Sequence, residues 1–108
     1  MGPEKRFEQK IKDFISSQNG WYVKFFANKM TKSGIPDILA CINGYFIAIE
    51  VKAENGEPSE LQIHHCKLIR ESGGFSFIVY PSGFEKLKEI IENLRKEVFD
   101  RTIPIILK

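Results

Sequence analysis

The stretch that decides the fold is Asp37-Ile38-Leu39-Ala40-Cys41-Ile42-Asn43-Gly44-Tyr45-Phe46-Ile47-Ala48-Ile49-Glu50-Val51-Lys52. Two apolar runs flank Asn43-Gly44, the strongest two-residue hairpin signal, because a type I′ turn needs positive φ at both central positions. The spacing predicts a strand over Asp37–Ile42 and a return strand over Tyr45–Lys52. Residues 45–49 are apolar at every position, so the return strand is expected to be central and covered on both faces. With this turn Ile42 faces Tyr45, and each step outward adds a pair until Asp37 stands opposite Glu50. Directly opposed residues carry Cβ atoms roughly 4.5–5.5 Å apart.

Two carboxylates at that separation repel and destabilise the pair. A divalent cation resolves the conflict, because both acids can give oxygen ligands to one Mg²⁺ or Mn²⁺. Lys52 lies two residues beyond Glu50 and therefore projects from the same face. Two acids and an amine at one strand end are the parts needed to hydrolyse a phosphodiester. The metal lowers the pKa of a bound water, and the lysine holds that water or the developing charge. The competing structural reading is a charged cluster that stabilises a sheet edge.

Outward from the hairpin, Phe7, Ile11, Phe14 and Ile15 recur at helical spacing and predict a helix over residues 4–18, ended by Asn19-Gly20. Trp21–Ala27 reads as a strand and Asn28–Pro36 as a polar loop. On the other side, Ala53–Pro58 is a loop. Ser59 and Gln62 form a capping box for a helix running to about Ser72, closed by Gly73-Gly74. Phe75–Tyr80 is a strand. After Pro81-Ser82, Phe84, Leu87, Ile90, Ile91, Leu94 and Val98 mark an amphipathic helix. The apolar tail Thr102–Leu107 reads either as an edge strand covering the core or as a contact with a partner. The order is helix, three strands, helix, strand, helix. It specifies an α/β fold with a small mixed sheet flanked by helices, and a crossover through the second helix.

Bulk properties narrow the classes. The 108 residues fit a single domain spanning 1–108, with 43% hydrophobic and 28% charged residues. No run approaches the roughly 18 apolar residues of a membrane span. The charged start, Met1–Lys12, lacks a signal-peptide core, so the chain is expected to stay in the cytoplasm of the producing cell. Cys41 and Cys66 are the two cysteines. They are too few for a zinc cage, and Cys41, inside an apolar run, is expected to be buried. Net charge is only +2. Even so, residues 14–36 contain no acid, while Lys24, Lys29 and Lys32 fall there as candidate phosphate contacts. Trp21, Tyr22, Phe25 and Phe26 are expected mostly in the core. His64, His65 and Cys66 are neighbours on a helix and make a poor metal site. Glu54, Glu57 and Glu60 read as loop and helix-start charges.

Gly34-Ile35-Pro36-Asp37, then Glu50-Val51-Lys52, then Gln62, resemble the PD-(D/E)XK nuclease superfamily. Phe7-Glu8 and Lys24 extend the likeness, and over residues 4–82 the chain is similar to the VRR-NUC branch, in its small single-domain phage and bacterial form. The resemblance implies a restriction-endonuclease-like core. It implies Asp37, Glu50, the Val51 carbonyl and Glu8 as metal ligands, directly or, for Glu8, through water. Lys52 would be the catalytic lysine, and Gln62 would position water or substrate. It also implies an Mg²⁺- or Mn²⁺-dependent endonuclease for branched DNA, resolving four-way junctions as a homodimer. A flap or duplex nuclease and a silent DNA-binding module of the same fold are the alternatives. A two-fold dimer follows from one site per chain and two strands to cut.

Overall fold

The computed structural model describes residues 1–26, 34–96 and 102–107. Helix α1 spans Pro3–Ser17, β1 Trp21–Lys24, β2 Ile38–Ile42, β3 Tyr45–Val51, α2 Glu60–Glu71, β4 Phe75–Val79 and α3 Phe84–Glu92. A single 3₁₀ turn, Pro81–Gly83, leads into α3. The four strands form one mixed sheet in the order β1-β2-β3-β4, antiparallel except for the parallel β3–β4 pair. The parallel pair is joined through α2, as the element order requires.

The β2–β3 turn has Asn43 at φ 52° and Gly44 at φ 86°, so both central residues are left-handed. Ile42 pairs with Tyr45, and the ladder runs back to Ile38 opposite Ile49. It stops there, one pair short of the expected Asp37–Glu50 pairing. The Asp37 side chain accepts the next N–H instead: Oδ2 lies 2.9 Å from the Val51 nitrogen.

Alternation sorts the sheet into two faces. Ile38, Ala40 and Ile42 of β2 and Ile47, Ile49 and Val51 of β3 form one buried cluster with Phe7, Ile11 and Ile15 of α1 and Leu87 and Ile91 of α3. Phe84 closes this layer, with edge-to-face contacts to Phe7 and Phe14. Each buried Ile or Leu contributes about 2 kcal/mol by leaving water. On the opposite face α2 packs mainly over β4 and to a lesser extent over β3, and the Ser76 hydroxyl donates to Cys66 Sγ at 3.0 Å.

Several expectations are corrected here. Cys41 is exposed because it points to the face that α2 leaves open. Trp21 and Phe26 are exposed, and of the four aromatics Trp21, Tyr22, Phe25 and Phe26 only Tyr22 packs on the core. β1 stops at Lys24, where its partner strand ends at Ile38; Ala27 lies outside the described residues. α3 ends at Glu92, capped by Asn93, whose Nδ2 donates to the Glu89 carbonyl. Leu94 still packs on the core, while Val98 lies outside the described residues. The tail residues Thr102–Leu107 form turns and bends, with Ile103, Ile105, Ile106 and Leu107 exposed. Neither an edge strand nor a cover for the core is made by them. Among the described residues, no helix is long and apolar enough to cross a membrane.

Candidate active site at the end of β2 and β3

Asp37 enters β2 directly after Pro36, which is fully buried. The Asp37 carbonyl accepts the Phe25 N–H at 2.7 Å, and its Oδ2 accepts the Val51 N–H. The residue is thus fixed from β1 and from β3. Glu50 is the only acid inside β3. Its parity turns it away from the isoleucine core toward α2, and its side chain is 6% exposed. Lys52 follows on the same parity, just past the strand. Its N–H donates to the Val79 carbonyl, and its Nζ stands 3.7 Å from Glu50 Oε2.

Gln62 performs two tasks with one amide. Oε1 accepts the Ser59 N–H at 2.9 Å while the Gln62 N–H donates to Ser59 Oγ at 3.1 Å, which is the capping box of α2. Its Nε2 donates to Glu50 Oε2 at 3.0 Å. The cap that starts α2 therefore also aims a donor at the buried acid.

Gly34 joins these parts. Its φ is +82°, and a Cβ there would sit 2.8 Å from the Leu61 carbonyl carbon and Cβ. The approach to Asp37 thus lies directly on the first turn of α2, and only a glycine fits between them.

Burial pushes the Glu50 carboxyl up, the Asp37 charge adds to the push, and Lys52 opposes it; the result is a pKa of about 7. Two acids are therefore held close in a partly dry place, and protonating one of them is the protein's own means of easing the repulsion.

The resemblance placed Glu8 beside these acids. The structure sets it at the edge of the site, with the Lys24 ammonium between it and Asp37, 2.7 Å from Glu8 Oε1 and 3.5 Å from Asp37 Oδ1. Glu8 lies on α1, and α1 packs on the isoleucine face, whereas Glu50 points to the α2 face. Glu8 Oε1 accepts from Lys24 Nζ at 2.7 Å, and Oε2 lies 3.0 Å from Lys12 Nζ. Burial alone would raise the Glu8 carboxyl pKa, but the two lysines outweigh it and hold it below the ordinary value. Lys24, expected at a phosphate, points inward: it also stands 3.5 Å from Asp37 Oδ1. Lys29 and Lys32 lie outside the described residues.

Lys12 was not singled out from the sequence, although its spacing of four from Glu8 on a helix was the signal that could have found it. Tyr80 was not singled out either, and Glu54, read from the sequence as a loop charge, has a specific partner. The Tyr80 hydroxyl donates to the Gly56 carbonyl at 2.8 Å, and the Glu54 carboxylate accepts the Ser82 N–H at 2.6 Å. Together they pin the loop after Lys52 to the end of β4. Contacts of that kind link segments far apart in sequence and leave no local pattern.

Asp37 and Glu50 can supply carboxylate oxygens to one hard cation, and the Val51 carbonyl belongs to the strand between Glu50 and Lys52. The fit rests on the crowded carboxylate pair, Glu50 buried and Asp37 half-buried, and on its donor chemistry, which suits Mg²⁺ or Mn²⁺. Among the described residues no group of three His, Cys, Asp or Glu side chains converges to hold an ion, so a cation here would draw on backbone and water as well.

No family model matches the sequence, and no curated protein matches it. A solved structure described as a "VRR_NUC domain" superposes with a TM-score of 0.66 at 24% sequence identity, over 83% of this chain and 95% of that one. The mixed four-stranded sheet, its flanking helices and the acid-bearing strand ends are thus set in the fold of a VRR_NUC domain.

Proposed function

We propose that this chain is a nuclease of the VRR-NUC branch of the PD-(D/E)XK superfamily, hydrolysing phosphodiester bonds in branched DNA with Mg²⁺ or Mn²⁺. The observation that carries this reading is the Asp37–Glu50 pair, with Lys52 and Gln62 both directed at Glu50 Oε2. The structural likeness to a VRR_NUC domain supports it.

Asp37, Glu50 and the Val51 carbonyl would hold the ion, which supplies charge neutralisation at the phosphate and a more acidic water. Lys52 is positioned to hold the attacking water or to meet the charge developing on phosphorus. Gln62 fixes the Glu50 carboxylate and leaves its own geometry unchanged, because the capping box locks the amide. Cutting two strands of a junction with one site per chain calls for a two-fold homodimer.

The experiment is a panel of labelled four-way junction, flap and duplex DNA incubated with Mn²⁺ or Mg²⁺. The junction should be cut, and both Asp37→Ala and Lys52→Ala should lose cleavage with unchanged circular dichroism. Selective cutting of flaps or simple duplex would replace the substrate assignment and keep the enzyme. Binding of junctions with no cutting in Mn²⁺ would establish a silent DNA-binding module instead.

A further inference from the structure

Divalent-metal nucleases work with one ion or with two roughly 3.5–4 Å apart that share a carboxylate. A second ion beside Asp37 would need another carboxylate, and among the described residues Glu8 is the acid that shares a cation with Asp37. The space between Asp37 and Glu8 is already filled. Lys24 Nζ stands 2.7 Å from Glu8 Oε1 and 3.5 Å from Asp37 Oδ1, and the side chain is only 16% exposed.

We infer that the Lys24 ammonium takes the place of a second divalent ion, so that the centre accepts one metal ion per chain. This rests on the metal-dependent reading above and extends it to stoichiometry.

Three observations carry it. First, the ammonium bridges one carboxylate from α1 and one from the start of β2, which is the bridging role of a shared cation. Second, both Glu8 oxygens already face an ammonium, Oε1 that of Lys24 and Oε2 that of Lys12 at 3.0 Å, so a second ion would have to compete with two tethered cations for them. Third, the ammonium is held in place: Lys24 is a paired residue at the end of β1, and its side chain is only 16% exposed. A divalent ion arriving there would meet a fixed positive charge at contact distance, tethered to β1 and unable to diffuse away. Parity explains why the lysine reaches this spot: Lys24 pairs with Ile38 and so shares the α1 face with Glu8.

The test titrates Mn²⁺ alone, without DNA, into the full chain, read by calorimetry and by electron paramagnetic resonance. The wild type should bind one Mn²⁺ with an uncoupled spectrum. Lys24→Gln and Lys24→Met should bind two, with the spectrum broadened by the neighbouring spin. Glu8→Gln should still bind one, because Glu8 serves the lysines and not the ion. Two ions in the wild type would overturn the inference, as would a folded Lys24→Gln that still binds one. Loss of the single site in Glu8→Gln would also overturn it, by making Glu8 a ligand; this arm decides even if the Lys24 variants fail to fold. No Mn²⁺ bound by the wild type would sink the metal-dependent reading itself, and that outcome is distinct from a count of two.

Discussion

Glu50 is the residue whose environment conflicts most with its charge. Its carboxyl titrates near 7 in the fold and near 4.5 in an unfolded chain. A raised folded value means that the native state prefers the protonated acid. The cost of ionisation is therefore absent below about pH 4.5, grows between about 4.5 and 7, and is fully present above 7. That gap corresponds to about 3 kcal/mol, an upper figure for a partly relaxed site. In EDTA, Glu50→Gln should be more stable than wild type at pH 8 by about 1–3 kcal/mol, and the difference should vanish near pH 4. Urea unfolding at both pH values measures it. A Glu50→Gln chain less stable than wild type at pH 8 would show that the Lys52 and Gln62 contacts outweigh the repulsion. Adding Mn²⁺ should raise the melting temperature of the wild type and leave the variant unmoved. Asp37, Glu50 and Lys52 were legible as candidates because a turn type and strand parity fix their positions locally, whereas the capping box fixed only the place of Gln62 and its site role came from the family resemblance. The inward aim of Lys24 was not legible, because it depends on α1 lying across the end of β1. The Asp37 carboxylate could equally not be seen reaching past Glu50 to the Val51 N–H.

At the scale of elements, two short contacts hold α2 against the acid-bearing strands, and they separate experimentally. Ser59→Ala removes half of the capping box and should cost about 1 kcal/mol. Cleavage should persist, since Gln62 Nε2 still donates to Glu50. Gly34→Ala is predicted to be worse. A left-handed backbone costs an alanine about 1 kcal/mol, and its Cβ would meet Leu61 backbone at 2.8–2.9 Å, which no rotamer change relieves. A loss of 2 kcal/mol or more is expected from strain and overpacking together. Mn²⁺ affinity should fall with it as Asp37 shifts from Glu50. Calorimetric unfolding and Mn²⁺ titration of both variants check this, and a Gly34→Ala chain with wild-type stability would remove the glycine from the site's support. Element order and type were readable along the chain, since the periodicities of 3.6 and 2 change at each turn. Element ends were less so: β1 ends and β2 begins at the Lys24–Ile38 pair, and α3 ends at Glu92 although the apolar stripe continues to Leu94. Apolar periodicity records which residues pack, not where the helical backbone stops.

Across the whole molecule, the question the fold leaves open is what lies on the uncovered half of the sheet and on the tail. α2 has 12 residues and rests on β4 and β3, so Trp21 and Phe46 face solvent at 65% and 41% exposure. No sequence pattern announces this, because a strand's alternation is the same whether its second face meets a helix or water. The tail is more exposed still, with Ile105 at 100% and Leu107 at 79%. Contiguous exposed apolar groups mark interaction surfaces, and paired cutting of a junction needs two copies. The wild type should therefore sediment as a dimer at micromolar concentration. Ile105→Lys combined with Leu107→Lys should shift it to monomer with unchanged circular dichroism, since these side chains leave the core untouched, and its melting temperature should fall only by the stabilisation that association supplied. Junction cleavage should then change from paired cuts to single nicks, because each chain keeps an intact Asp37–Glu50 pair but loses the geometry that sets two of them on opposing strands. A dimer that survives both charges would move the contact to the open sheet face, where Trp21→Lys with Phe46→Lys becomes the disrupting pair. A wild type that stays monomeric while cutting both strands at once would remove the need for symmetry altogether.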